Sequence, residues 1–424
     1  MSFSILRPER GYARTPPGVF NAFSDYPDIL TYFIGRLNES EAICPAEAVL
    51  SLEGAYLCDG KHVLDSHRNW VTETTVDLAL ADSILASLRQ VLGDGHDVST
   101  PLAAEAVRVV CLTKAGAEAE AEAEAEAGAG AGAGAGNYGH FIAEIAPKFV
   151  HLVQMASEQT VVILPEESLR FGEIISATIK ALQLRVNIYF VREASFYAIP
   201  KLNFVTHISQ HDFRKSPTLL EWRQLIFAQL GVLPTPTRKL LVRRALGKKR
   251  NFSNSDEVER ALVAHRFEVV YPGELTFADQ VRLFASASHV IGGLGAGLTN
   301  ILFCDSLARV FMILPDMMDY FFWDISCLLK QEFNWFFADP WNFTVRINWN
   351  PIMRFRSKGL WYRCKKLAGS IEGVQGFRSR QDAIRHWHRW RPCSIPDIRS
   401  AILGQAFASI QALPRSDNAD LTSV

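Results

Sequence analysis

Val290-Ile291-Gly292-Gly293-Leu294-Gly295-Ala296-Gly297-Leu298-Thr299-Asn300 decides how this chain is read. A β-branched run enters a cluster of four glycines, and an apolar stretch, 298–303, follows it. Strand, glycine turn and apolar helix-like segment, in that order, form the repeating unit of a parallel α/β sheet. Such a turn brings backbone N–H groups and a helix N-terminus close to an anion such as phosphate. It also serves as a plain tight turn, and the glycines alone do not separate the two uses. The dinucleotide fingerprint requires Gly at i, i+2 and i+5. Counted from Gly293 the last position is Leu298, and from Gly295 it is Asn300, so a nicotinamide-dependent dehydrogenase is disfavoured. There is no Walker A sequence.

Outward from the loop, apolar strand patterns alternate with helical ones. Downstream lies the strand pattern 310–314. Upstream, Thr276 and Asp279 form a capping pair for a helix reaching Ala287, and 267–270 reads as a strand. Asn254 and Glu257 cap a helix reaching His265, and 239–243 reads as a strand. A helix over 217–230 starts at Pro217 and stops at Gly231, and Pro234 and Pro236 mark a linker. Before it, strands are expected at 107–112, 160–164 and 186–190, with helices over 171–183 and from Phe141 onward. Two such blocks predict an α/β protein with two Rossmann-like domains facing a cleft. Arg243 and Arg244 end the 239–243 strand, where α/β sheets bind ligands, and Arg250 follows; the planar guanidinium suits phosphate oxygens.

Length and composition set the bounds. The 424 residues, 48% hydrophobic and 21% charged, describe a globular protein of two or three domains. The net charge of −1 argues against a nucleic-acid partner. Seven cysteines, none within a CxxC spacing, read as reduced thiols of a cytoplasmic protein. The N-terminus carries no apolar signal-like stretch, and no apolar run is long enough for a spanning helix. The tract 115–136 alternates Ala with Glu and then with Gly, as a drifted repeat does. The small net charge conceals a basic end: 354–400 holds twelve Lys and Arg against three acids, and seven of nine tryptophans follow position 320. That region reads as a packed helix with solvated charges, or as a peripheral contact with an anionic membrane surface at the inner face.

Four blocks, in order, resemble glycosyltransferase family 61, which includes capsular-polysaccharide-biosynthesis-type enzymes. Asn137-Tyr138-Gly139-His140-Phe141, with Glu144 and Pro147 behind it, is similar to the family's helix-opening motif. Arg244 (or Arg243), Arg250, Asn254, Asp256 and Glu257 are similar to its arginine, asparagine and acidic block. Phe277 and Gln280 follow its Phe-x-x-Gln helix, and Gly295-Ala296-Gly297-Leu298-Thr299-Asn300 its closing loop. Two positions depart: the loop histidine of the family is Leu294, and the acidic residue of its next strand is Met312.

The resemblance implies a GT-B fold and an inverting transfer of a sugar from a nucleotide-sugar donor to a glycan or lipid-linked acceptor. It implies domains 1–215 (acceptor side, with the insert 115–136) and 216–350 (nucleotide-sugar side), ahead of a basic, Trp-rich extension at 351–424. Donor binding falls to Arg243, Arg244, Arg250, Asn254, Glu257, Gln280, Gly295, Ala296, Gly297, Thr299 and Asn300, and the acceptor side to Asn137. No Asp-x-Asp occurs, so no metal or other cofactor is expected, and leaving-group charge falls to arginines and backbone amides. His140 is the candidate general base, with Glu144 as its orienter or as the base itself. The two departures leave a non-catalytic glycan or nucleotide-sugar binder as the alternative.

Overall fold

The computed structural model describes residues 1–20, 39–44, 46–58, 62–71, 108–112, 136–192, 196–210, 213–244, 255–314, 320–337, 339–340 and 393–394. Arg250, Asn254, almost all of the 115–136 tract and nearly all of the basic 354–400 region lie outside them. No described helix is long and apolar enough to cross a membrane.

The second half of the chain builds a wholly parallel six-stranded sheet. Its spatial order is Glu268–Val270, Arg238–Val242, Ala287–Gly293, Arg309–Leu314, Glu332–Phe337 and Gly18–Phe20. The Val- and Ile-rich runs fill its middle because a parallel strand is covered on both faces. From Arg238–Val242 the chain steps to Glu268–Val270 on one side, then returns to Ala287–Gly293 on the other. The order therefore reverses between Arg238–Val242 and Ala287–Gly293. Ligands of α/β sheets bind beyond the carboxyl ends of strands at such a reversal. Arg243, Arg244 and the glycine loop stand at those two ends.

The other sheet is mixed. Phe196–Val205, Arg108–Cys111, Thr160–Pro165 and Asn187–Val191 run parallel. Beyond Phe196–Val205, the strands Glu47–Cys58, Ser2–Arg7 and His62–Leu64 are antiparallel. The expectation of two purely parallel units is thus corrected: an antiparallel extension of this sheet comes from the first 64 residues, where no strand was expected. Phe196–Val205 contains Pro200, which removes a ladder donor. It is accommodated opposite Gly54, a glycine with φ of +69°.

The two sheets share one apolar core. It runs from Val110, Phe149 and Leu164 through Trp222 to Phe284, Phe303 and Trp335 without interruption. Gly18–Phe20 crosses the boundary expected at 215, because it pairs with Glu332–Phe337. Helix ends follow the sequence signals where these are strong. Thr218–Leu230 follows Pro217 and ends at Gly231 in the left-handed conformation, with φ of 61°. Phe277–Ala285 is capped by Thr276, which accepts from the Asp279 N–H at 3.2 Å.

Candidate functional site

Asn137 opens the helical segment that carries the first sequence block. Its Oδ1 accepts from the Gly139 N–H at 2.9 Å, an N-cap that satisfies an otherwise orphaned donor. One α-turn, Tyr138–His140, widens into a π-turn, Phe141–Ile145, and tightens into the 3-10 segment Ala146–Gln154. The sequence pattern predicts a regular helix here. Pro147 explains the departure, since it has no N–H and its ring clashes with the preceding turn. The π-turn bond runs from the Ala146 N–H to Phe141 O.

Within this segment His140 and Glu144 meet. Nδ1 of His140 lies 3.1 Å from Glu144 Oε2, with both residues buried. The ring of Phe321 stands edge-on to His140 at 5.9 Å. Among the described residues, two charged ones from outside the sequence blocks stand nearby. Lys215, fully buried, places Nζ 3.6 Å from Glu144 Oε1 and 4.2 Å from the Phe321 ring centroid. Asp324, one turn beyond Phe321, accepts from Arg14 Nε at 3.0 Å and Nη2 at 2.8 Å, and from the Arg214 N–H at 2.8 Å. Burial pushes its carboxyl up, against the opposing pull of Arg14 and Lys215. Nothing in the sequence spacing pointed to Lys215 or Asp324, which arrive from separate elements.

The closing loop meets the first block directly. It forms the 3-10 helix Ala296–Phe303, where the sequence predicts a helix start. The Tyr138 hydroxyl donates to Asn300 Oδ1 at 2.6 Å. Asn300 Nδ2 donates to Gln280 Oε1 at 2.9 Å and to Gly297 O at 3.0 Å, and Gln280 Nε2 donates to Leu275 O at 3.1 Å. Asn300 and Gln280 are therefore buried braces of the loop, with their polar atoms committed to the protein. A Cβ on Gly139 would lie 2.8 Å from Thr299 Oγ1 and 3.3 Å from Asn137 Oδ1, so this contact requires glycine. Ala296 and Gly297 are the half-buried part of the loop next to Gly295.

The arginines divide. Arg244 lies over the loop: its Nη1 donates to Leu294 O at 3.3 Å, and a Cβ on Gly295 would stand 3.2 Å from its Cζ. Arg243 turns away, donating to Ser255 O at 2.6 Å and pairing with Glu259 at 3.1 Å. It ties down the helix Ser255–Ala264, on which Glu257 is half-buried. Of the two alternatives read from the sequence, Arg244 is the one at the glycine loop. Leu294 and Met312 both belong to the apolar core. A surface groove of about 540 Å³, lined by Glu173, Lys180, Gln229 and Thr276 among others, includes none of these side chains. Among the described residues, no three His, Cys, Asp or Glu side chains converge as a metal centre requires.

No curated protein matches the chain. The family model described as Glycosyltransferase 61 matches residues 138–311, a stretch that holds His140, Glu144, Lys215, Arg244, Gln280 and the whole glycine loop. Over that stretch, under half of the chain, the protein is similar to the glycosyltransferase 61 family.

Proposed function

We propose that the protein is an inverting, metal-independent glycosyltransferase that takes its sugar from a nucleoside-diphosphate donor. The observation that carries this reading is the meeting of the two blocks: Tyr138 on Asn300 and Gly139 on Thr299 set His140 beside the loop that Arg244 covers. The acceptor hydroxyl gives its proton to the imidazole as its oxygen bonds to the anomeric carbon. The bond from that carbon to the diphosphate oxygen breaks, and the developing charge meets Arg244 and the N–H groups at Ala296 and Gly297. Glu144 orients the imidazole through Nδ1. Arg250 and Asn254 belong to the same donor side by sequence. The acceptor is a glycan or lipid-linked glycan of surface polysaccharide synthesis, of capsular type, and the basic 354–400 region docks on anionic membrane. Liposome flotation tests that docking: no binding to anionic vesicles at low salt removes it.

A second reading, binding of a nucleotide sugar or glycan without turnover, is favoured by Leu294 and Met312, whose burial leaves no polar group at either position. One experiment separates the two. The purified protein is titrated with a panel of nucleoside diphosphates and nucleotide sugars, and donor hydrolysis and transfer are then followed. Turnover that disappears in His140→Ala, with donor affinity kept, supports the transferase. Binding with no turnover supports the second reading, and no binding at all sinks both.

A further inference from the structure

One wall beside His140 comes from outside the matched stretch. Phe321 opens the helix Phe321–Leu328, and its ring stands edge-on to the imidazole at 5.9 Å. A Cβ on Gly139 would lie 3.7 Å from Phe321 Cζ, so the ring fills the space against the turn that carries His140. The contact between Nδ1 and Glu144 Oε2, at 3.1 Å, holds one edge of the imidazole. A packed aromatic neighbour opposes rotation of the imidazole about its Cβ–Cγ bond, because a close-packed interior leaves no room for it. The orientation of His140 therefore depends on where the helix Phe321–Leu328 is set.

That helix does not set itself. It has eight residues, too few to be stable alone, and Tyr320 at its N-cap makes no side-chain capping bond. Three of its side chains are tied to Arg14 and Thr15. Asp324, fully buried, accepts on Oδ1 from Arg14 Nε at 3.0 Å and Nη2 at 2.8 Å. Trp323 Nε1 donates to Thr15 O at 2.9 Å, and Cys327 Sγ donates to the same carbonyl at 3.7 Å. The Arg14 guanidinium also lies 5.1 Å over the Trp323 ring centroid. Arg14 is itself anchored: its side chain is 1% exposed, its Nη1 donates to Glu39 Oε2 at 2.7 Å, and its N–H donates to Ser40 O at 2.8 Å. Two N–H groups of one rigid, planar guanidinium fix the direction of the carboxylate as well as its distance.

We propose that Arg14 is a positioning residue of this site: through Asp324 it sets the helix Phe321–Leu328, so that Phe321 holds the His140 ring. This rests on the reading of His140 as the proton acceptor. In the rival arrangement the helix is set by apolar packing, Trp323 on Trp335 at 6.0 Å, and Arg14 adds stability without bearing on His140.

The surroundings of the His140 ring can be read without substrate. The full chain is labelled with ¹³C-histidine, and the His140 ring signal among the eleven histidines is identified by its loss in His140→Gln. Phe321→Leu removes the neighbouring ring current and shifts that signal; a signal identical to that of the parent overturns the proposal. Arg14→Met/Asp324→Asn removes both buried charges together, keeps an acceptor for the Arg214 N–H, and so leaves no unpaired charge between them. In the parent this pair variant shifts the His140 signal. In the Phe321→Leu background it leaves the signal where Phe321→Leu alone puts it. An unshifted signal in the parent overturns the proposal. An equal shift in both backgrounds also overturns it, since the pair then reaches His140 by a route other than Phe321. Should the pair variant fail to fold, Arg14→Lys carries the same comparison, because it keeps the charge and loses the planar fork. Its shift is smaller and again absent without Phe321, and no shift in the parent overturns the proposal. Where the parent turns over a nucleotide sugar, the pair variant lowers kcat by about tenfold or more with KM for that donor kept; an unchanged kcat overturns the positioning role. A parent that turns over no donor refutes the transferase reading alone and leaves the signal comparison standing.

Discussion

Replacing Gly139 by alanine inserts one carbon where the two sequence blocks touch. That Cβ would lie 2.8 Å from Thr299 Oγ1, 3.3 Å from Asn137 Oδ1 and 3.7 Å from Phe321 Cζ. Thr299 is fully buried, so its Oγ1 retreats only by a change of rotamer in a filled site or by movement of the loop backbone. In an unhindered helix Gly→Ala stabilises by about 0.4–1 kcal/mol through the unfolded chain. Overpacking a filled site costs about 1–3 kcal/mol. The net expectation is a loss of about 1–2 kcal/mol, opposite in sign to helix propensity. The partner substitution isolates the cause. Thr299→Ala removes Oγ1, which has no hydrogen-bond partner among the described residues, so its loss is cheap. Gly139→Ala in the Thr299→Ala background should then cost less than half as much, a coupling read from a double-mutant cycle. Guanidinium unfolding followed by tryptophan fluorescence supplies the four stabilities. A Gly139→Ala protein as stable as the parent, or a strictly additive double variant, would refute the close contact and the placement of His140 that depends on it.

Four other outcomes follow. Arg244→Ala should weaken binding of the preferred nucleoside diphosphate by about tenfold or more. Arg243→Ala should instead cost about 1–3 kcal/mol of stability, because Ser255 O and Glu259 lose their partner; calorimetry and unfolding that show the reverse pattern would refute the division. Asn300→Ala should cost about 2–4 kcal/mol, since the Tyr138 hydroxyl and Gln280 Oε1 both lose their bonds in a buried place; a loss under about 0.5 kcal/mol in urea unfolding would show that the bridge braces nothing. Burial raises the Glu47 carboxyl, but hydrogen bonds from His151, Ser216 and Thr218 prevail and hold it down at about 2. Its contribution, on the order of 3 kcal/mol, is present above the ordinary carboxylate range and lost as pH falls toward that value. The stability gap between the parent and Glu47→Gln should therefore shrink between about pH 4.5 and pH 2 in acid unfolding series, and a constant gap would contradict it.

Much of the fold could be read from local pattern, and the misses have physical causes. The Val- and Ile-rich strands at 160–165, 287–293 and 309–314 announce themselves because both their faces are covered. Glu47–Cys58 and Phe196–Val205 do not: one holds Glu53 and Gly54, the other Pro200 and Lys201, residues that read as turn or loop. The register that places Pro200 opposite Gly54 resolves the conflict only once both strands are paired. Within the site, the four-residue spacing of His140 and Glu144 on a helical segment was enough to bring them together. Asn300 and Gln280 were found as positions, but that their amides bind each other is nothing a motif shows. Lys215 was not legible at all. Its approach to Glu144 depends on how the strand Phe213–Lys215 is set against the helical segment, and no local spacing encodes that.

The strand Gly18–Phe20 sets a problem of timing for the ribosome. Its partner residues are Asn334, Trp335 and Phe336, more than three hundred positions later. At about 5–20 residues per second, the early strand waits roughly 15–60 seconds for that edge to be made. Ser2–Arg7 meets its own partner, Glu47–Cys58, far sooner. The nascent chain thus carries one N-terminal strand that docks early and another that must stay unpaired until synthesis is well past residue 336. In that interval it is an open edge of the kind that recruits the wrong neighbour. Completion of the second sheet is consequently a late, long-range closure, made slow by the loop it has to span.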